Sequence, residues 1–176
     1  MMKRLLKFGF YLLLVGGLAV YFAPKRQLYY WGENLLQPYG VVMSGEAVND
    51  RGFSLALQEG TLYYQDLKIA TFDEISVLPL LLFNRVKISP FSLADAMQRF
   101  ASGDFELELY QSVIDPLHVY LQGSGSPGDV QGVADLAQRT LKITLTPSEA
   151  LIKSNPIWLK ELKKQPSGEF VYETAY

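Results

Sequence analysis

The chain opens on an unbroken apolar run and then turns to alternation. Leu5 to Ala23, LLKFGFYLLLVGGLAVYFA, is nineteen residues long with Lys7 as its single charge. At ~1.5 Å per helical residue it covers about 28 Å, close to the ~30 Å hydrocarbon core of a bilayer. The run predicts one transmembrane helix, with an apolar surface made by Phe8, Phe10, Leu12, Leu13, Leu14, Val15, Leu18, Val20 and Phe22. Gly16 and Gly17 would weaken a helix in water but are tolerated in lipid. Pro24 ends or kinks the helix. From Lys25 to Gln37, Leu28, Trp31 and Leu35 at i, i+3 and i+7 predict a second, amphipathic helix that Pro38 stops. It would lie in the membrane interface or pack on the following domain.

From Gly40 the period changes to two. Val41–Met43 is a short apolar run. Gly52–Gly60 predicts a strand with Phe53, Leu55 and Leu57 on one face. Thr61–Ala70 and Phe72–Pro79 continue the pattern, and Val86 and Ile88 stand opposite Arg85 and Lys87. Phe105, Leu107 and Leu109 alternate with Asp104, Glu106 and Glu108; Leu117, Val119 and Leu121 alternate with His118, Tyr120 and Gln122. Such strictness predicts a mostly antiparallel sheet with one apolar and one polar face. Pro127-Gly128 suits the centre of a type II turn joining Leu117–Ser124 to Asp129–Leu136. Arg139–Leu145 adds a strand with Leu141, Ile143 and Leu145 inward.

Short helices punctuate the strands. Asp95–Phe100 predicts a helical turn, and Thr146-Pro-Ser-Glu149 reads as a capping box with Thr146 as the cap. A second cap at Asn155-Pro156 restarts the helix, with Lys160, Lys163 and Lys164 towards its C-terminal end. Ser167-Gly168 then turns into a last strand, Glu169–Tyr172. Pro79–Phe83 is an apolar stretch too short to assign. The resulting fold class is mainly β: an N-terminal anchor over residues 1–26, a juxtamembrane helix over 27–39, and one β-rich domain over 40–176.

Charge fixes the sidedness of this layout. The net charge is −2, yet residues 1–26 carry five basic groups and no acidic one, leaving eleven basic and eighteen acidic residues beyond. Lys3, Arg4 and Lys7 precede or enter the span, which places the N-terminus in the cytoplasm and the acidic body outside. An acidic body excludes nucleic acid as a partner. The absence of cysteine excludes thiolate metal sites, thiol nucleophiles and disulfides. A cleaved secretory signal begins the same way. The apolar run continues through Val20–Ala23, however, and Tyr21, Phe22, Tyr29, Tyr30 and Trp31 resemble an interfacial aromatic belt, which favours a retained anchor.

No constellation predicts an enzyme or a cofactor. Gly123-Ser-Gly-Ser-Pro-Gly128 has the letters of a dinucleotide-binding loop, but Pro127, Gly128 and Gly132 oppose the helix that such a site requires, so a glycine-rich hairpin is the better reading. His118, the single histidine, falls on the polar face beside Tyr120 without a local nucleophile. Asp104, Glu106 and Glu108, ~7 Å apart along one strand face, read as a solvated surface rather than a calcium site. Asp73-Glu74 reads the same way.

The order of parts, with GTLYYQDLKIATFDEISVLPLLLFNRVKIS and GSGSPGDVQGVADLAQRTLKITLTPS as its strand-rich stretches, resembles the type II secretion system protein N family and is similar to AsmA-like envelope proteins. The resemblance implies a bacterial inner-membrane protein with a periplasmic β-rich domain, serving a secretion or envelope assembly, and carries over no functional residue. Two functions follow as expectations. The first is a non-enzymatic accessory subunit that binds other envelope or secretion proteins. The second is a lipid-handling module whose strands form an apolar groove. Phe53, Leu55, Leu57, Phe105, Leu107, Leu109, Val119, Leu121 and Ile143 would line that groove, or else fill a packed core.

Overall fold

The computed structural model describes residues 2–80, 82–94, 103–154, 159–160 and 162–176. Helix α1 (Met2–Phe22) and helix α2 (Lys25–Leu36) lead into a 3-10 turn at Gln37–Tyr39. Eleven strands follow among the described residues: β1 (Val41–Ser44), β2 (Ala47–Asp50), β3 (Leu55–Tyr64), β4 (Leu67–Pro79), β5 (Phe83–Leu93), β6 (Asp104–Ser112), β7 (Asp115–Gly125), β8 (Gly128–Asp135), β9 (Thr140–Pro147), β10 (Lys163–Lys164) and β11 (Phe170–Ala175). A one-and-a-half-turn helix, α3 (Glu149–Ser154), leaves β9. All strands belong to one antiparallel sheet in the order β1-β3-β4-β5-β6-β7-β8-β9-β11-β10, with β2 also paired to β3. The expected mainly β, antiparallel architecture with short helices is what forms.

The helical start is more qualified. Among the described residues no single helix is long and apolar enough to cross a membrane by itself; Leu6–Phe22 and Lys25–Tyr39 meet that measure only as a pair, bent by 64°. The bend falls at Ala23-Pro24, where the helical hydrogen bonding is interrupted. Phe8, Phe10, Leu12, Leu13, Leu14, Val15, Leu18 and Phe22 are all exposed, and Val20 is half-buried. Among the described residues, it is the end of α1 that meets the body. The Tyr21 ring stands edge-on to Phe53, with centroids 5.3 Å apart, and lies against the backbone of Gly52. Gly52 has φ +79° and no room for a side chain, so this approach requires glycine. Helix α2 runs along the β1–β2 edge, and its Tyr29 packs on the core cluster of Leu55, Leu57 and Phe72. The Tyr29 hydroxyl donates to Glu46 Oε1 at 2.7 Å.

Several expected boundaries move. Thr61–Ala70 is not one strand: β3 and β4 meet in a two-residue turn, Gln65-Asp66, whose φ values are +48° and +66°. The β7–β8 turn is Ser126-Pro127, with Gly128 already in β8. Thr146 and Pro147 remain in β9, and the cap of α3 is Ser148, whose Oγ accepts the Leu151 N–H at 3.2 Å. Lys163 and Lys164 form β10 instead of a helix end. The predicted turn at Asp95–Phe100 and the restart at Asn155-Pro156 lie outside the described residues.

Candidate functional site

Strand register builds the site. Leu57, Ile75, Ile88, Leu107, Gly123, Val130, Leu145 and Phe170 are successive cross-strand partners from β3 to β11. Leu55, Val77, Val86, Leu109, Leu121, Gly132, Ile143 and Tyr172 form a second such row. Two rows across eight strands therefore expose almost nothing but hydrocarbon on one face. A third row, Phe72, Phe91, Phe105 and Gly125, extends it.

This third row is reached through a kink. Between Ile88 and Phe91, β5 has one residue more than the facing stretch of β6, and the bulge falls at Ser89-Pro90. Proline, lacking an N–H, fits a position where the ladder is broken. In the same band Glu59 of β3 has φ +52°. Bulges bend strands and raise their twist, and the sheet curls accordingly. One cleft of about 340 Å³ is lined by Phe91 and Leu93 from β5, by Phe105, Val130, Ile143 and Leu145, and by Tyr172 from β11. In a flat sheet β5 and β11 would stand about 24 Å apart at ~4.8 Å per strand, too far to border a single cleft. A second apolar cleft of about 170 Å³ lies beside it, between Met43, Leu62, Phe72 and Leu107, and shares Phe91 and Leu93. The two clefts, adjoining at Phe91 and Leu93, are together the trough.

The trough is closed at its sides rather than filled. On one side Leu55, Leu57 and Phe72 are buried under Tyr29. On the other, Leu145 is buried with Leu151 of α3 and with Leu159. Between them Phe105, Leu107, Ile143, Phe91 and Leu93 are only half-buried. Among the described residues no second layer covers them. Of the residues predicted for a groove or core, Leu55 and Leu57 are core; Phe105, Leu107 and Ile143 line the trough. Leu109, Val119 and Leu121 continue its apolar wall, half-buried. Phe53 departs from this set, because β3 begins only at Leu55 and Phe53 lies exposed in the preceding loop against Tyr21.

The outer face is polar and internally paired. Glu108 accepts from Arg85 at 2.6 Å, Glu106 lies 3.3 Å from Lys87, and Asp104 accepts from the Ser92 hydroxyl. The Lys87 and Ser89 contacts hold the Glu106 carboxyl below its usual range, the serine hydrogen bond contributing most. Glu74 is gripped by both terminal nitrogens of Arg51, at 3.0 and 2.9 Å, and its carboxyl is likewise depressed. Among the described residues no group of three histidine or carboxylate side chains is placed to hold a metal ion. The Gly123–Gly128 segment closes a hairpin and leads into a strand, so its amides face no helix-borne anion site.

His118 has partners that its sequence neighbours did not suggest. Its Nδ1 lies 2.6 Å from Asp115 Oδ1 and its Nε2 3.5 Å from Asp135 Oδ2, the residue paired with it across β7 and β8. Asp115 also accepts from the Tyr120 hydroxyl at 2.6 Å. The Asp115 hydrogen bond raises the imidazole above its ordinary value, and the His118 contact lowers the Asp115 carboxyl. This cluster orients an imidazole without supplying a nucleophile. In a regular strand Asp115, three positions before His118, would fall on the opposite face, so nothing in the sequence signalled it. Asp135 needed the hairpin register.

No protein-family model matches the chain, and neither a curated protein nor a solved structure is significantly similar to it.

Proposed function

We propose that this is a non-enzymatic, membrane-anchored module that takes a lipid acyl chain into the trough, with α1 spanning the bacterial inner membrane and the sheet on the periplasmic side. The carrying observation is the trough itself: two adjoining clefts of about 340 and 170 Å³, both walled by hydrocarbon. A methylene takes up about as much room as a molecule of liquid water, roughly 30 Å³. The trough therefore suits one acyl chain of ordinary length better than a complete diacyl lipid. Each large side chain left half-exposed costs roughly 1 kcal/mol relative to burial, and a bound chain recovers that cost along the whole wall. The resemblance to AsmA-like proteins points the same way.

The anchor rests on magnitude as well. Leu6–Phe22 at ~1.5 Å per residue spans about 26 Å, short of the ~30 Å hydrocarbon core, and meets the measure of a span only together with the bent Lys25–Tyr39. Leaving its large side chains in water would cost on the order of 10 kcal/mol, comparable to the whole stability of a domain. Native mass spectrometry of the full chain, extracted in mild detergent, tests the reading: one bound lipid per chain is expected. A chain that is consistently lipid-free, and that fails to take up a photoreactive fatty acid, would overturn it.

A second reading, docking on an envelope or secretion assembly, draws on one feature. Strand β10 pairs only with Phe170 and Val171 of β11, leaving Tyr172–Ala175 without a neighbour on that side among the described residues. Such an edge accepts an added strand. Recovery of the chain alone from its native membrane, with no partner after cross-linking, would count against it.

A further inference from the structure

Because neighbouring strands are antiparallel, every second connection falls at the same end of the sheet. The connections β2–β3, β4–β5, β6–β7 and β8–β9 share the end at which α1 joins the body through Tyr21 and Lys25. We propose that this end is a membrane-contacting rim, with the tips Phe53, Leu82, Ile114 and Leu136 immersed in the interface of the bilayer that α1 enters. The inference rests on the spanning reading of α1.

The chemistry of the tips carries it. A solvated two-residue hairpin turn normally uses Gly, Asn, Asp or Ser, whose backbones adopt the turn easily and whose side chains tolerate water. The β6–β7 turn is Val113-Ile114, two β-branched hydrocarbons, and Ile114 is 93% exposed. Phe53, Leu82 and Leu136 are 47%, 57% and 46% exposed. The Val113 N–H donates to the Leu82 carbonyl at 3.1 Å, so the second and third tips form one patch. At the opposite end the corresponding turns among the described residues are Gln65-Asp66 and Ser126-Pro127. Exposed apolar residues there, Tyr39, Tyr64 and Leu67, flank the Gln65-Asp66 turn without forming it, and exposed Ile152 lies on α3 beyond β9. Hydrocarbon tips gathered at the end that already carries a free apolar helix match a lipid surface, into which an apolar face sinks ~5–10 Å.

The chain has no cysteine, so single labels can be placed without altering a background residue. The full chain carrying Leu82→Cys, Ile114→Cys, Gln65→Cys or Val15→Cys, each with an NBD fluorophore, is reconstituted into phosphatidylethanolamine–phosphatidylglycerol vesicles. These contain lipids spin-labelled either near the headgroup or deep in the acyl chain. Labels at 82 and 114 are expected to shift to the blue and lose intensity with the shallow quencher, while the label at 65 does neither. If 82 and 114 behave like 65, the rim is overturned. The label at 15 reports separately on the anchor: deep quenching is expected there, and its absence would overturn the spanning reading instead.

Discussion

Lys25 Nζ lies 3.4 Å from Asp50 Oδ1 and donates to the carbonyl oxygens of Tyr21 and Ala23 at 3.1 and 3.3 Å. The lysine is 3% exposed. One ammonium thus caps the end of α1, opens α2, and ties both to the end of β2. Replacing it by Met takes the ammonium away from the Tyr21 carbonyl and from Asp50, while Ala23 O keeps the backbone N–H of residue 25 and Asp50 Oδ1 keeps the Gly52 N–H. Because Asp50 is a third exposed, the expected cost is about 2 kcal/mol, below the ~3–5 kcal/mol of a fully buried pair. Chemical unfolding in detergent measures the loss. Spin labels on α1 and in the 51–54 loop should show a broadened distance distribution.

Ile143→Asn places an amide in the wall of the larger cleft without disturbing a closed core, since Ile143 is half-buried. Stability should fall by only about 1 kcal/mol. Lipid retained through purification should fall sharply, as read by native mass spectrometry. Leu57→Asn, in the buried cluster, should instead unfold the domain.

Gly60 lies beneath the Phe72 ring, its cross-strand partner, and an added Cβ would enter that ring. Gly60→Ala must displace a phenyl group that is itself buried, at an expected cost of about 1–3 kcal/mol. Thermal unfolding followed by circular dichroism checks it.

The turn at Gln65-Asp66 holds two ordinary residues at positive φ, a conformation costing roughly 1 kcal/mol or more per non-glycine residue. Asp66→Gly should stabilise the chain by about 0.5–1 kcal/mol. A raised unfolding midpoint is the expected result.

The single histidine gives a single titration curve. His118 is raised by its Asp115 hydrogen bond, so its contribution is present below its unfolded value near 6.5 and lost as pH rises through the higher folded value. Asp115 is lowered by His118, so its contribution is present above ~3.9 and lost as pH falls through the lower folded value. The pair therefore supports the β7–β8 hairpin between those two folded values. In an NMR titration His118 should ionise above 6.5, and Asp115→Asn should bring it back towards 6.5.

The sheet's apolar rows were legible wherever the period held. Phe105-Leu107-Leu109 and Val119-Leu121 occupy the face that their alternation predicted, because nothing interrupts β6 or β7 there. The β3–β4 turn was hidden for a chemical reason: Gln65-Asp66 adopts a glycine-like backbone without glycine or asparagine. The face switch across Glu59 and Ser89-Pro90 was hidden because a bulge shifts the phase of alternation, and a period-two reading simply restarts after it. Phe53 looked like the first rung of β3, yet Tyr21, thirty-two positions earlier, holds it outside. Thr146 was the expected capping oxygen, yet β9 continues to Pro147 and moves the cap to Ser148. The trough itself belongs to curl, a property of the assembled sheet that no single strand encodes.

From β3 to β9 each strand pairs with the one made just before it. A polypeptide folding as it is made thus zips up in the order of its synthesis, with no segment waiting for a distant mate. Only the two margins depart from this, where β1 and β2 share one neighbour and β11 skips over β10. Assembly defects are therefore expected to concentrate at the first and last strands delivered, leaving the middle of the meander intact.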